Sequence, residues 1–345
     1  MSTITLYNRG SFFLERDFPT AQPQEVAIHL DSVFWGDPDG PLFVDRSILL
    51  DTNVFDYISK NPQYESIQGL VAHAKAHGLP LDPSYALIEQ RLRHKDPQRL
   101  LQRYVESLSK NFHIEVPRAN IDAMGVVLDE ALPMLRYNIE LLRDLLPLVK
   151  VIWNAKGNFT TKVDRLASAF LSQDLPRFSL GYLFAVVAFY VKHYPERFTP
   201  EVVSKIASDM GISAKPDAEH SRLWNLAFDL SLLAFCVEVS FRKATPHLLY
   251  LNSIASADRA FAVYARNIKA AAISRSTMAG VAGVRSNGQW GLVVPGADLD
   301  KEAGDYAMSR LKADPPRDAQ HLAARRANLG GLSAAILGGT LPAGI

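Results

Sequence analysis

A single cysteine, Cys236, in 345 residues excludes a disulfide framework and a cysteine-rich zinc site. Set in the apolar run Leu230 to Val239, it reads as a small core residue. Charge of either sign is also short of an excess. Lysine plus arginine number 37 and aspartate plus glutamate 36, which excludes a strongly basic nucleic-acid coat but leaves room for a local basic patch. Long hydrophobic runs are missing as well. The most apolar stretch, Leu180 to Val191, is shorter than the roughly 18–20 residues of a membrane span and reads as a buried helix, so no membrane partner is expected. The first residues lack the basic region and apolar core of a secretory signal, and the expected compartment is the cytoplasm. Signatures G-x-G-x-x-G, G-x-x-x-x-G-K-[ST] and G-x-S-x-G are absent, which disfavours P-loop hydrolysis and the usual serine-hydrolase arrangement. His73 and His77 have metal-ligand spacing, but no Glu beside His73 completes a zincin motif.

What is present suits a packed core: 48% hydrophobic and 21% charged residues. Residues 1–46, rich in Pro, Asp and Gly, read as an extension with one or two strands or turns packed across the first strand of the main domain. The apolar run Ile48 to Leu50 predicts a buried strand that delivers Asp51 to the edge of a sheet. Val54, Phe55, Tyr57 and Ile58 then suit a helix capped by Thr52 or Asn53. A second helix, with Ile67, Leu70, Val71 and Ala74 on one face, ends at Gly78. Leu79 to Leu81 follows as a short extended segment, and Asp82-Pro83-Ser84 opens a helix with Glu89 about one and a half turns inside. That helix is read as running charged from Glu89 to Lys110, with Arg91, Arg93 and Lys95 on it.

Residues 112–220 read as an all-α block with its own core, including Met124 to Trp153 punctuated by Pro133 and Pro147. In the apolar helix that follows, Asn225 and Asp229 stack four residues apart. An acid there is costly unless it caps, pairs or binds a cation. Pro246 to Leu251 predicts another strand, Asn252 to Ala257 a loop, and Asp258 the start of the next helix. Asn287-Gly288, between Val281 to Val284 and Trp290 to Val294, signals a hairpin; beyond Pro295 the chain reads as a flexible or partner-binding tail.

Taken singly, each acid also suits a helix cap or a solvated face. Taken in order, Leu49-Leu50-Asp51-Thr52-Asn53-Val54-Phe55, Glu89 in its helix, Asp229, and Ser256-Ala257-Asp258-Arg259-Ala260-Phe261 resemble the acidic motifs of PIN-domain nucleases. The resemblance implies an α/β fold, a PIN-like parallel sheet sandwiched by helices, over residues 47–275. A large helical insertion at about 112–220 departs from the compact family, and a C-terminal hairpin and flexible tail occupy 276–345. It also implies a metal-dependent endoribonuclease that cuts single-stranded RNA. Asp51, Glu89, Asp229 and Asp258 would be the catalytic, metal-binding acids, with Asn53, Asn225 and Ser256 as hydrogen-bond partners behind them. Converging carboxylates need a divalent cation, and an oxygen-only set favours Mg²⁺ or Mn²⁺. Arg91, Arg93, Lys95, Arg259 or Arg266 are candidates for holding substrate phosphates. Rival readings are a catalytically inactive PIN-like scaffold that binds protein or nucleic acid, and a metal-dependent DNA nuclease or phosphatase; a regulatory protein partner fits a block of this size.

Overall fold

Ile48, Leu49 and Leu50 are fully buried, and a continuous apolar run of this kind suits a strand covered on both faces. They end β3 (Phe43–Leu50), whose neighbours are β5 (Leu248–Ser256) on one side and the two-residue β4 (Leu81–Asp82) on the other, all three parallel. Two N-terminal strands, β1 (Thr5–Arg9) and β2 (Phe13–Asp17), complete the sheet in the order β2-β1-β5-β3-β4, with β1 antiparallel to both β2 and β5. The computed structural model describes residues 5–9, 13–17, 43–93, 95–176, 179–211, 216–243, 248–257, 268–270, 273–275, 290–292, 295–297, 301–310 and 319–340. The class is a mostly helical α/β fold with a small parallel sheet. The N-terminal strands pair beyond β5 rather than across β3, because the edge of β5 is where backbone donors and acceptors await partners.

The chain divides into two compact units, Met1–Arg136 with Leu232–Val294, and Tyr137–Ser231 with Pro295–Ile345. In the first, β3 leads into α1 (Thr52–Lys60), followed by α2 (Glu65–Ala76), α3 (Ser84–Leu92) and α4 (Pro97–Phe112). Phe55 of α1 stacks on Tyr104 of α4 with ring centroids 5.1 Å apart, and Ser107 donates to the Ile58 carbonyl at 2.6 Å. Gly78, at φ +60°, takes the left-handed backbone that ends α2. The charged stretch Glu89 to Lys110 is two helices rather than one. Asp96 accepts from the amides of Gln98 and Arg99, and Pro97 opens α4 with its φ preset, so the chain restarts there.

The next helix, α5 (Arg118–Asn154), runs through Pro133 and Pro147 without a break. Each proline removes one backbone bond, but the stripe Leu128, Leu135, Ile139, Leu142, Leu146 and Val149 stays buried and outweighs that loss. It is followed by α6 (Phe159–Ser172), α7 (Ser179–His193), α8 (Pro200–Met210) and α9 (Pro216–Lys243). Two of the borders between the units fall inside helices, within α5 and α9. Residues Tyr182 to Val191 are buried, as a core helix requires, and among the described residues no helix is long and apolar enough to cross a membrane.

Two expectations at the C-terminal side are corrected. The stretch read as a loop, Asn252 to Ala257, continues β5 through Ser256, because eight parallel pairs with β3, Phe43↔Leu248 to Leu50↔Ala255, hold it extended. The expected flexible tail is helical, in α10 (Lys301–Arg310) and α11 (Ala319–Leu337). The tail's few large apolar residues concealed its anchors, several of which are polar: Tyr182 donates to the Ala307 carbonyl at 2.8 Å, Arg310 pairs with Asp164 at 3.0 Å, and Arg325 pairs with Asp174 at 2.8 Å. Trp290–Leu292 pairs antiparallel with Ile273–Arg275; Val281–Val284 and Asn287-Gly288 of the expected hairpin lie outside the described residues, as does the Cys236 side chain.

Candidate functional site

β3 and β5 end level with each other. Leu50 pairs with Ala255, and the Asp51 amide donates to the Ala255 carbonyl at 3.0 Å, so Asp51 and Ser256 emerge side by side at the C-terminal edge of the sheet. This edge is where open α/β sheets place ligands. Asp51 is itself the cap of α1. Its Oδ1 accepts from the Val54 amide at 2.7 Å, so Thr52 and Asn53 are helical residues and not the cap. On the other carboxylate oxygen, Oδ2, it accepts from the Ser256 hydroxyl and from the Ala257 amide at 3.2 Å.

With the capping role taken by Asp51, the Thr52 hydroxyl is available to the next element. It donates to Glu89 Oε2. Glu89 is buried on α3 and accepts at Oε1 from Arg93 Nε at 3.0 Å and Nη2 at 2.9 Å. Here α3 starts where Asp82 Oδ1 accepts from the Ser84 amide at 2.9 Å, and residues 84–90 are all buried, which fixes how far Glu89 projects. Burial pushes the Asp51 carboxyl up to about 6 despite the hydrogen bonds from Ser256, Val54 and Ala257, and the Glu89 charge pushes it in the same direction. Asp51 therefore senses the Glu89 charge across Thr52.

The other expected residues are placed as follows. Asn53 is exposed in the first turn of α1. Asp229, half-buried, and Asn225, exposed, lie on the part of α9 grouped with the second unit. Asp258, Arg259 and Arg266 lie outside the described residues. Among the described residues, no three His, Cys, Asp or Glu side chains group to hold a metal ion. Of the cations expected to hold phosphate, Arg91 pairs with Asp129, Arg93 with Glu89, and Lys95 is exposed. Sequence reasoning missed Thr52 and the Ala257 amide. The only signal for Thr52 was its place directly after an acid that ends a strand.

The donor set is oxygen only, which suits a hard divalent cation such as Mg²⁺ or Mn²⁺. Asp51 Oδ2 and Glu89 Oε1 each accept two hydrogen bonds, whereas among the described residues Asp51 Oδ1 accepts from Val54 and Glu89 Oε2 from Thr52, one each. A carboxylate oxygen has two acceptor positions, so Oδ1 and Oε2 retain capacity for a metal ligand role. A separate cleft of about 560 Å³, lined by Ala74, Lys75, Leu81, Leu108, Val116 and Met124 among others, includes neither acid. Comparison of the chain with protein families, with curated proteins and with solved structures finds no match.

Proposed function

We propose that the chain is a PIN-like, metal-dependent endoribonuclease acting on single-stranded RNA. The observation that supports this most is the buried Asp51 carboxylate at the end of β3, linked through Thr52 to Glu89 and pushed up to about 6 in pKa. Two acids held this close at a sheet edge favour a cation that offsets their repulsion. In this reading Asp51 and Glu89 hold Mg²⁺ or Mn²⁺ together with Asp258, and the ion supplies charge neutralisation at phosphate and an activated water. Ser256 and the Ala257 amide orient Asp51, and Thr52 orients Glu89. Capping of α1 by Asp51 locks its carboxylate before any ligand arrives, so the site needs little rearrangement.

The alternative, an inactive scaffold that binds protein or nucleic acid, is favoured by a specific observation. All four carboxylate oxygens of Asp51 and Glu89 already accept from protein donors. One experiment separates the two: labelled single-stranded RNA incubated with Mg²⁺, Mn²⁺ or EDTA, wild type beside Asp51→Asn. The nuclease reading expects metal-dependent cleavage that falls by at least about 10²-fold in Asp51→Asn, the scale at which a single charge-stabilising group acts. Product ends of 5′-phosphate and 3′-hydroxyl would define the chemistry. Absence of cleavage of RNA and DNA with every metal, with no thermal shift on adding metal, leaves the scaffold.

A further inference from the structure

His73 lies in the last turn of α2, and His77 closes that helix. The His77 amide donates to the His73 carbonyl at 3.1 Å, so helical spacing persists through His77 before Gly78 turns the chain away. Residues four apart share a helix face, and the two imidazole centroids stand 4.5 Å apart with their planes tilted by 47°. His77 is exposed; His73 is half-buried and has a further interaction in the fold. Each imidazole carries two ring nitrogens, so a contact at one leaves the other for a ligand. Metal-bound histidines are normally held by a neighbour in this way. We propose that His73 and His77 form a two-ligand site for a nitrogen-preferring divalent ion of tetragonal geometry, Cu²⁺ or Ni²⁺.

The ring separation argues for that class of ion. A metal–nitrogen bond of about 2.0–2.1 Å puts each ring centre roughly 3.2 Å from the ion, so two rings at a right angle stand about 4.5 Å apart and two at the tetrahedral angle about 5.2 Å. Imidazole suits Zn²⁺ as well, but the right angle belongs to tetragonal ions, and Cu²⁺ heads the affinity order. The helix end also favours a cation, because its last carbonyls carry partial negative charge. Lys75, between the two histidines in sequence, lies on another face and donates to the Phe112 carbonyl at 3.1 Å. Since the backbone of both histidines is already held, binding asks only for side-chain rotation. Mg²⁺ prefers oxygen ligands and does not compete here. Two rings in plain aromatic contact also sit this close, and metal titration separates the two cases.

The test is Cu²⁺ titration of the full chain in excess Mg²⁺, which fills oxygen sites, followed by electron paramagnetic resonance of the bound Cu²⁺. The first equivalent on wild type is expected to show splitting from two imidazole nitrogens. His77→Gln changes an exposed side chain, and His73→Gln keeps a polar side chain of helix-forming type. Each is expected to leave one nitrogen and to bind at least about tenfold more weakly, since losing even a partner of a ligand costs roughly 10–100-fold. His113→Asn removes an exposed histidine outside the pair, at a left-handed backbone position that asparagine tolerates, and is expected to match wild type. Splitting by one nitrogen or none in wild type, or equal Cu²⁺ affinity in His77→Gln, overturns the site. Far-UV circular dichroism of the metal-free variants, matched to wild type, shows that a loss of binding is the loss of a ligand and not of the helix.

Discussion

Asp51 performs two jobs with one carboxylate, and its titration follows from their conflict. As a cap it accepts hydrogen bonds that favour the charged form; as a buried acid beside Glu89 it is penalised for carrying charge, and burial wins. Its carboxyl therefore holds a proton in the folded chain up to about pH 6 but releases it near 3.8 when unfolded. Across that window the folded state binds more protons than the unfolded state, so stability declines as pH rises. The swing is about 3 kcal/mol at most, taking about 1.4 kcal/mol per unit of pKa shift. Asp51→Asn, which cannot ionise, is expected to lose this decline and to be the more stable form at pH 7. Urea midpoints of both proteins at pH 4 and pH 7 check it, and parallel pH slopes would show that the buried carboxyl is not the source.

At the scale of elements, the ends of helices and strands decide where the chemistry lies. Much of this was readable. The apolar run into Asp51, the short extended segment before α3 and the helix bearing Glu89 all follow from hydrophobic pattern and capping residues. What was not readable depended on partners distant in sequence. β5 stays extended to Ser256 only because β3 pairs with it, and Thr52 is a bridge only because Glu89 arrives from 37 residues away. The same holds at the end of α5. Lys162, fully buried, donates to the carbonyls of Ile152 at 2.8 Å, Trp153 at 2.9 Å and Ala155 at 2.5 Å, and Lys192 donates to Trp153 as well. Two lysines thus satisfy carbonyls that a helix C-terminus leaves without amide partners and complement its negative end. In sequence each lysine reads only as a charge beside a helix. Lys162→Met keeps the length but not the donors, and it is expected to cost about 2 kcal/mol through unsatisfied buried carbonyls. Chemical denaturation checks the loss; an unchanged midpoint would mean that water replaces the ammonium.

For the molecule as a whole, the second unit is assembled from two stretches of chain separated by more than sixty residues, Tyr137–Ser231 and Pro295–Ile345. Its interior contains a buried ion pair, Lys150 with Glu219, and Lys150 also donates to the Gly211 carbonyl at 3.1 Å. Burial lowers the Lys150 pKa and the Glu219 carboxylate raises it again, so the pair is secure only while the surrounding helices exclude water. The C-terminal helices are fastened to this unit at three places: Arg326 meets Asp144 at 3.1 Å, Arg325 meets Asp174, and α10 contributes the carbonyl that Tyr182 requires. Ending the chain at residue 300 would remove all three, leaving the buried Tyr182 and Asp144 without these partners, and buried polar groups left unpaired are expensive. Limited proteolysis of the truncated chain should therefore cut first within residues 137–231. Protection of β3 and β5 should persist, because their eight-pair register lies wholly within the first unit. Simultaneous loss of protection in both stretches would show that the two units unfold as one.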